Sequence, residues 1–204
     1  MIMLESLVSF TLGLINKAGY GGVFILSVLE NIGLPIPSEV VVPFSGFLVS
    51  IGEFDFWPVI LYATLGNFIG SIILYAVGRS GGRWILEKYG RYLFIRSAEI
   101  HKGDVWFAKY GGWTVFWGRL IPVIRSLISL PAGVARMDFK KFCAFTFAGS
   151  LIWNLGLAYA GIKIGNNWQV LHAYFQKLDM IIVAALLAAV AGYVIRLRLK
   201  RRKI

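Results

Sequence analysis

Apolar residues in this chain gather into long runs instead of recurring at the spacing of a half-buried helix. Two runs carry no charge: FWPVILYATLGNFIGSIILYAVG at Phe56–Gly78 and FCAFTFAGSLIWNLGLAYAGI at Phe142–Ile162. Each reaches the roughly 20 residues that cross the hydrocarbon core of a bilayer, so both are predicted transmembrane helices. Pro58 stands in the opening turn of the first, where a missing N–H costs little. A third span is predicted over 178–197, rich in Ala, Val and Leu and leading into a basic tail at 198–204. The opening stretch 1–19 carries Glu5 within its apolar run and lacks a basic leader. It reads as an N-terminal helix, interfacial or spanning, rather than as a cleavable signal peptide.

Two further apolar segments are interrupted. Residues 20–52 hold Pro35, Pro37 and Pro43; residues 110–137 hold Pro122 and Pro131. Proline removes a backbone donor, and the residue before it avoids the α region. A continuous helix therefore does not pass through GLPIPSE. Broken backbone survives at membrane depth only inside protein or beside a wet cavity. Both segments are predicted to be re-entrant helical hairpins, followed by the spans 56–78 and 142–162.

The two segments look alike. Each opens on YGG, at Tyr20–Gly22 and Tyr110–Gly112. Each sets a charge shortly after a proline (Pro37 and Glu39, Pro122 and Arg125) and a small–Gly pair near its far end (Ser45–Gly46, Ala132–Gly133). The spans that follow match at a constant offset: Gly66 with Gly149, Gly78 with Gly161, Gly82 with Gly165. The predicted architecture is an all-α polytopic membrane protein with a single membrane domain over 1–204. One repeat covers 20–78 and the other 110–165. A connector at 79–109, mixing Trp84, Ile85 and Leu86 with Arg83, Glu87 and Lys88, joins them along the interface.

Charge orients the repeats. The six basic residues between Arg196 and Lys203, the seven between Arg79 and Lys109, and Arg136, Lys140 and Lys141 all flank apolar segments. The positive-inside rule puts each group in the cytoplasm. The acidic Glu53 and Asp55 fall outside. The first hairpin then enters from outside and the second from inside, so the halves are inverted.

Composition agrees with this reading. Of 204 residues, 58% are hydrophobic and only 15% charged, against about 25% in a typical soluble domain. Mean hydropathy is +0.71. The net charge of +11 would suggest a nucleic-acid partner in a soluble protein; here topology accounts for it, and no nucleic acid is expected. The single cysteine, Cys143, cannot form an intrachain disulfide and is read as a packing residue. With only His101 and His172 besides, no metal motif is present and no cofactor is expected.

The chemistry sits at the two breaks. Paired Gly/Pro-interrupted segments at matching positions are the best sequence pointer to a transporter's binding site. The first break supplies Glu30 and Glu39, the second Arg119 and Arg125. A lone charge at the bilayer centre costs at least ~2.5 kcal/mol, so the hairpins are expected to meet tip to tip, acids against arginines. The planar guanidinium grips two phosphate oxygens at once, which suits a lipid phosphate headgroup. Glu30 and Glu39 would balance charge or relay protons. The competing reading makes Glu39–Arg125 and Glu30–Arg119 internal ion pairs that lock the halves together. Asn67, Trp153 and Asn154 either line the cavity or make interhelical contacts. Arg136 marks the cytoplasmic boundary.

LENIGLPIPSEVVVPFSGFL and GRLIPVIRSLISLPAGVARMDF, with LGNFIGSIILYAVGRSGG and FAGSLIWNLGLAYAGIKIG, resemble the DedA family of membrane proteins, also called the VTT or SNARE-associated domain family. The likeness covers about residues 15 to 170 and is greatest to the bacterial branch with undecaprenyl-phosphate translocases. The resemblance implies opposed re-entrant hairpins, lipid movement coupled to protons or potential, and roles for Glu30, Glu39, Arg119 and Arg125. It also implies an acidic residue after the first hairpin, for which Glu53 and Asp55 are the candidates. The expected function is return of undecaprenyl phosphate across the bacterial inner membrane, by a non-enzymatic carrier with a cytoplasmic C-terminus. Phospholipid flippase or scramblase, proton-coupled ion antiporter and non-transporting assembly factor are the alternatives. A homo-oligomer is compatible with the sequence.

Overall fold

A computed structural model describes residues 2–34, 38–82, 97–122 and 124–165, with single positions 180, 184 and 188. The expected C-terminal span, apart from those positions, the basic tail and residues 83–96 of the connector lie outside the described residues. The described chain is helical: α1 (Ile2–Ala18), α2 (Tyr20–Asn31), α3 (Ser38–Ser50), α4 (Phe56–Val77, continued by a π-helical turn at Gly78–Gly82), α5 (Ser97–Arg119), α6 (Ile124–Leu127), α7 (Ser129–Val134) and α8 (Phe139–Ile164).

Among the described residues, only α4 with its π turn and α8 are long and apolar enough to cross a membrane. At 1.5 Å per residue, α2 and α3 are each about 20 Å long or less, short of the ~30 Å hydrocarbon core. The reason is local. Gly33, at φ 103, ends α2 with a Schellman cap: its N–H reaches the Glu30 carbonyl at 3.1 Å, and that of Leu34 reaches Leu29 at 3.2 Å. Gly52, at φ 80, caps α3 the same way, with the Glu53 N–H on the Leu48 carbonyl at 2.9 Å. Pro43 lies inside α3 and cannot donate to the Glu39 carbonyl, which opens its ladder one turn beyond Glu39.

α5 differs from expectation. It runs unbroken through Tyr110–Gly112, where the sequence suggested that the second hairpin begins. Two helical glycines cost about 1 kcal/mol each. Here their bare surface is filled from outside. A Cβ on Gly112 would come 2.5 Å from the Phe145 ring, and one on Gly111 3.1 Å from Met137 Sδ.

Small residues set how the helices meet. α2 lies on α4 so closely that a Cβ on Gly66 would sit 2.5 Å from the Phe24 carbonyl, and one on Gly70 2.5 Å from that of Val28. This is the small-xxx-small approach of helices in lipid. α5 lies on α8, where a Cβ on Gly149 would meet Arg119 Cβ at 2.7 Å. α3 crosses to α8 through Gly46, against the Ala158 carbonyl, and Gly161, against Pro43. α7 crosses to α4 through Gly133, against Tyr75, and Gly78, against Leu130. Since a Cβ on Gly70 would meet the Val28 backbone, Gly70→Ala forces α2 and α4 apart. We expect it to destabilise by about 1–3 kcal/mol, read as a lowered melting temperature in detergent.

The core is layered. One apolar cluster joins Ile15, Val23, Leu26, Val40–Val42 and Leu48 to Ile60, Ala63, Leu157 and Ala158. The other holds Tyr75, Val115, Ala132, Met137 and Phe142. Along α4, buried Thr64, Asn67 and Ser71 separate the two clusters; along α8, buried Thr146, Ser150 and Asn154 do. Spacings of three and four put each set on one helix face. The outward faces are apolar: Trp57, Leu61, Ile69, Ile73, Ile152 and Tyr159 are exposed, as helices in lipid require.

Candidate functional site

The polar layer continues into the two breaks. Glu30 sits in the last turn of α2, held there by the Gly33 cap, and Glu39 in the first turn of α3. Arg119 closes α5, and Arg125 lies in α6, one short helix beyond Pro122. All four are buried, with exposures of 2–5%. Among the described residues, Arg125 meets both acids, and Arg119 is engaged by neutral groups instead.

Of the two pairs the sequence suggested, Glu39–Arg125 is present, though loose, and Glu30–Arg119 is replaced by Glu30–Arg125. Arg125 Nη2 binds Glu30 Oε1, and Arg125 Nε stands 3.9 Å from Glu39 Oε1. One guanidinium thus faces both carboxylates, tightly and loosely. Ser126 Oγ donates to the same Glu30 oxygen at 3.2 Å. The Trp153 ring lies 5.3 Å from Arg125 Cζ, within cation–π range. Arg119 makes no ion pair with Glu30. Its Nη1 donates to Asn31 Oδ1 at 2.8 Å, and its Nη2 to Ser71 Oγ at 2.7 Å and Ser129 Oγ at 2.5 Å. The reason lies in the direction of approach. Gly149 lets the base of Arg119 press against α8, and the side chain reaches the α2–α4 seam instead of the hairpin tip.

Asn31 is the hub of this seam, and the sequence reading did not single it out. It accepts from Arg119, accepts from Ser71 Oγ at 3.3 Å, and donates to the Ser27 carbonyl at 3.1 Å and to Asn67 Oδ1 at 2.7 Å. Asn67 donates to Asn154 Oδ1 at 3.2 Å, and Asn154 to Thr64 Oγ1 at 3.1 Å. A neutral hydrogen-bonded chain therefore links the Arg119 guanidinium to both long helices. Asn67 and Asn154 serve it as interhelical contacts, while Trp153 faces Arg125. Ser71, Ser126 and Ser129 were also missed. Their signal was a small hydroxyl inside an apolar stretch, which is common in tightly packed membrane helices. Arg119 Nε and Thr146 Oγ1 are buried without a hydrogen-bond partner among the described residues.

The remaining candidates lie elsewhere. Glu53 and Asp55 are exposed in the α3–α4 connection, where the Asp55 N–H donates to Tyr20 Oη at 2.8 Å. Arg136 is exposed in the α7–α8 turn. Among the described residues, no group of three His, Cys, Asp or Glu side chains is placed to hold a metal ion.

Known proteins bear on the site. The VTT domain family matches residues 36–163, which include α3, α4 and the whole second break. Undecaprenyl phosphate transporter A of Bacillus subtilis (strain 168) is 41% identical over 80% of this chain and 81% of its own length. The protein of the same name from Staphylococcus aureus (strain NCTC 8325 / PS 47) is 33% identical over 93% of this chain and 96% of its own. An alkaline phosphatase-like protein of Lactococcus lactis subsp. cremoris (strain MG1363) is 40% identical over 84% of this chain and 82% of its own. No solved structure matches the chain. A domain match over more than half the chain, and identities of this size over most of it, establish that the chain belongs to the VTT-domain family, the DedA family of membrane proteins.

Proposed function

We propose that this protein carries undecaprenyl phosphate from the outer to the inner leaflet of the bacterial cytoplasmic membrane, by alternating the partners of Arg125. The observation that carries this reading is the arrangement of that guanidinium: buried, bound closely by Glu30 and loosely by Glu39. A guanidinium between two carboxylates has an exchangeable partner. An incoming phosphate competes for the same planar fork, which it fits bidentately. Arg119 adds a second positive charge whose contacts are all with neutral oxygens. The site therefore attracts an anion without having to expel one from Arg119. The polyprenyl tail stays in lipid while the headgroup crosses. The transporter names of two relatives support the substrate.

Protonation supplies the drive. When Glu30 or Glu39 takes up a proton, its attraction for Arg125 falls, and the guanidinium is released to the phosphate. Loss of the proton on the cytoplasmic side returns the carboxylate to Arg125 and displaces the lipid.

We further infer that the protein is an inverted repeat with re-entrant hairpins 20–52 and 110–137 and a cytoplasmic C-terminus. Two supports are structural. The first is that the break at 32–37 stands between two helices, α2 and α3, that are too short to span. The second is the glycine contacts, which recur in pairs. Gly66 meets Phe24 and Ser27, as Gly149 meets Phe116 and Arg119; Gly46 meets Ala158, as Gly133 meets Tyr75; Gly161 meets Pro43, as Gly78 meets Leu130. Each pair is displaced along the chain by a constant amount within its segment. In this register Tyr20 corresponds to Gly112, so the YGG likeness is not the structural equivalence.

The test is reconstitution into liposomes carrying labelled undecaprenyl phosphate, with and without a proton gradient. Lipid should change leaflets, faster with acid outside, and Glu39→Gln should remove that acceleration. A phospholipid moved equally well would favour the scramblase alternative. Release of inorganic phosphate without leaflet exchange would point to hydrolysis and overturn the carrier reading.

A further inference from the structure

A cavity of about 460 Å³ opens between α5 and the α7–α8 turn. None of Glu30, Glu39, Arg119 and Arg125 lines it. Its wall has two chemical characters. Lys109, Arg136 and Lys141 bring three cations against one carboxylate, Asp138. That carboxylate is already engaged as the N-cap of α8, accepting the Lys141 N–H at 2.9 Å. The other side is aromatic. The Trp113 and Phe145 rings meet edge-on with centroids 5.5 Å apart, and Tyr110 lies under Lys109 Nζ at 4.9 Å. Phe145 reaches this place because Gly112 has no side chain.

Arg136 gives the second observation. It holds φ 51, the one non-glycine with positive φ among the described residues. Its N–H reaches the Gly133 carbonyl at 3.0 Å, and that of Met137 reaches Ala132 at 3.1 Å. This is the same Schellman cap that Gly33 and Gly52 make on α2 and α3. Arginine sits where the other two helices use glycine, in a conformation that glycine holds without strain. Strain of this kind collects where a side chain has a function, and this side chain faces the cavity.

We propose that the cavity is a second lipid site, which takes the phosphate-monoester headgroup of a membrane lipid and is separate from the central charge cluster. Three cations suit a headgroup carrying close to two negative charges. The aromatic wall suits the apolar stem beneath it, in the basic and aromatic zone where membrane proteins meet headgroups. The volume is that of a small-molecule site. Its role as a docking point for cargo rests on the carrier reading; the binding itself does not.

The test uses the full chain in nanodiscs with a photoreactive phosphatidic acid, mapping the crosslinks by peptide mass spectrometry. Crosslinks should fall on Tyr110, Trp113 or Phe145. Unlabelled phosphatidic acid should compete for them, whereas a phosphocholine lipid or inorganic phosphate at the same concentration should not. Arg136→Gly and Lys141→Gln should each cut the yield by about fivefold or more, and Lys141→Arg should retain it. Arg136→Gly should also melt at a higher temperature than the parent, so misfolding cannot explain its loss. Yields unchanged in both variants, or competition by phosphocholine lipid or inorganic phosphate, would overturn the proposal. A transport-dead Arg125→Gln protein that keeps these crosslinks separates this site from the central one, and failure of the carrier reading would leave the crosslinks in place.

Discussion

On the proposed carrier mechanism, Arg125→Gln is expected to stop leaflet exchange and to lower stability by about 3–5 kcal/mol, because it removes the cation that pairs with buried Glu30. Both carboxylates lean on this one guanidinium, and both are nearly inaccessible. The stability loss alone would not distinguish a lock from a binding site. The double variant Glu30→Gln/Arg125→Gln does. Two neutral amides of similar volume can bond to each other, so most of the stability should return. Transport should stay absent if Arg125 holds the phosphate as proposed. Melting temperature in detergent and leaflet exchange in liposomes read the two quantities separately. Recovery of both in the double variant would make the pair an internal lock and nothing more.

That separation is needed because sequence reasoning reached the charges and stopped at their pairing. The two long spans, the interruptions around GLPIPSE and RLIPVIR, and the meeting of the acids with one arginine were legible. Each follows from a strong local constraint: chain length against bilayer thickness, proline against the helical ladder, and charge against hydrocarbon. Which acid meets which arginine follows from no such rule. It depends on how far the helices slide along one another, and glycines set that. Gly149 turns Arg119 toward α4; Gly66 and Gly70 bring Asn31 to meet it. In the sequence these glycines look like any others in a Gly-rich membrane protein. Asn31 was hidden for a related reason. An asparagine beside a glutamate in a helix end reads as part of a turn signal, yet its side chain is wholly buried and makes contacts on two other helices, α4 and α5. The unbroken α5 was hidden as well, because the helix cost of Gly111 and Gly112 is offset by Phe145 and Met137, distant in sequence.

The same hub yields the most discriminating single change. Asn31→Asp puts a carboxylate in direct contact with Arg119 at the 2.8 Å position now held by a neutral amide oxygen. At that range and an effective dielectric of about 20, the added attraction is several kcal/mol. The buried cation gains a permanent partner. The cost is the loss of two donations, to the Ser27 carbonyl and to Asn67. The second is recoverable, since the amides of Asn67 and Asn154 can rotate in turn and Thr64 Oγ1, at the end of the chain, donates as well as accepts. Stability should therefore change little, by about 1–2 kcal/mol in either direction. Transport should fall by at least about 100-fold, because an incoming phosphate must now displace a carboxylate from both arginines instead of one. Asn31→Ala is the control. It leaves Arg119 charged but poorly aimed, so it should weaken lipid binding less than Asn31→Asp while destabilising the fold more. If Asn31→Asp transports as well as the parent, Arg119 does not act through its charge, and the phosphate is held by Arg125 alone.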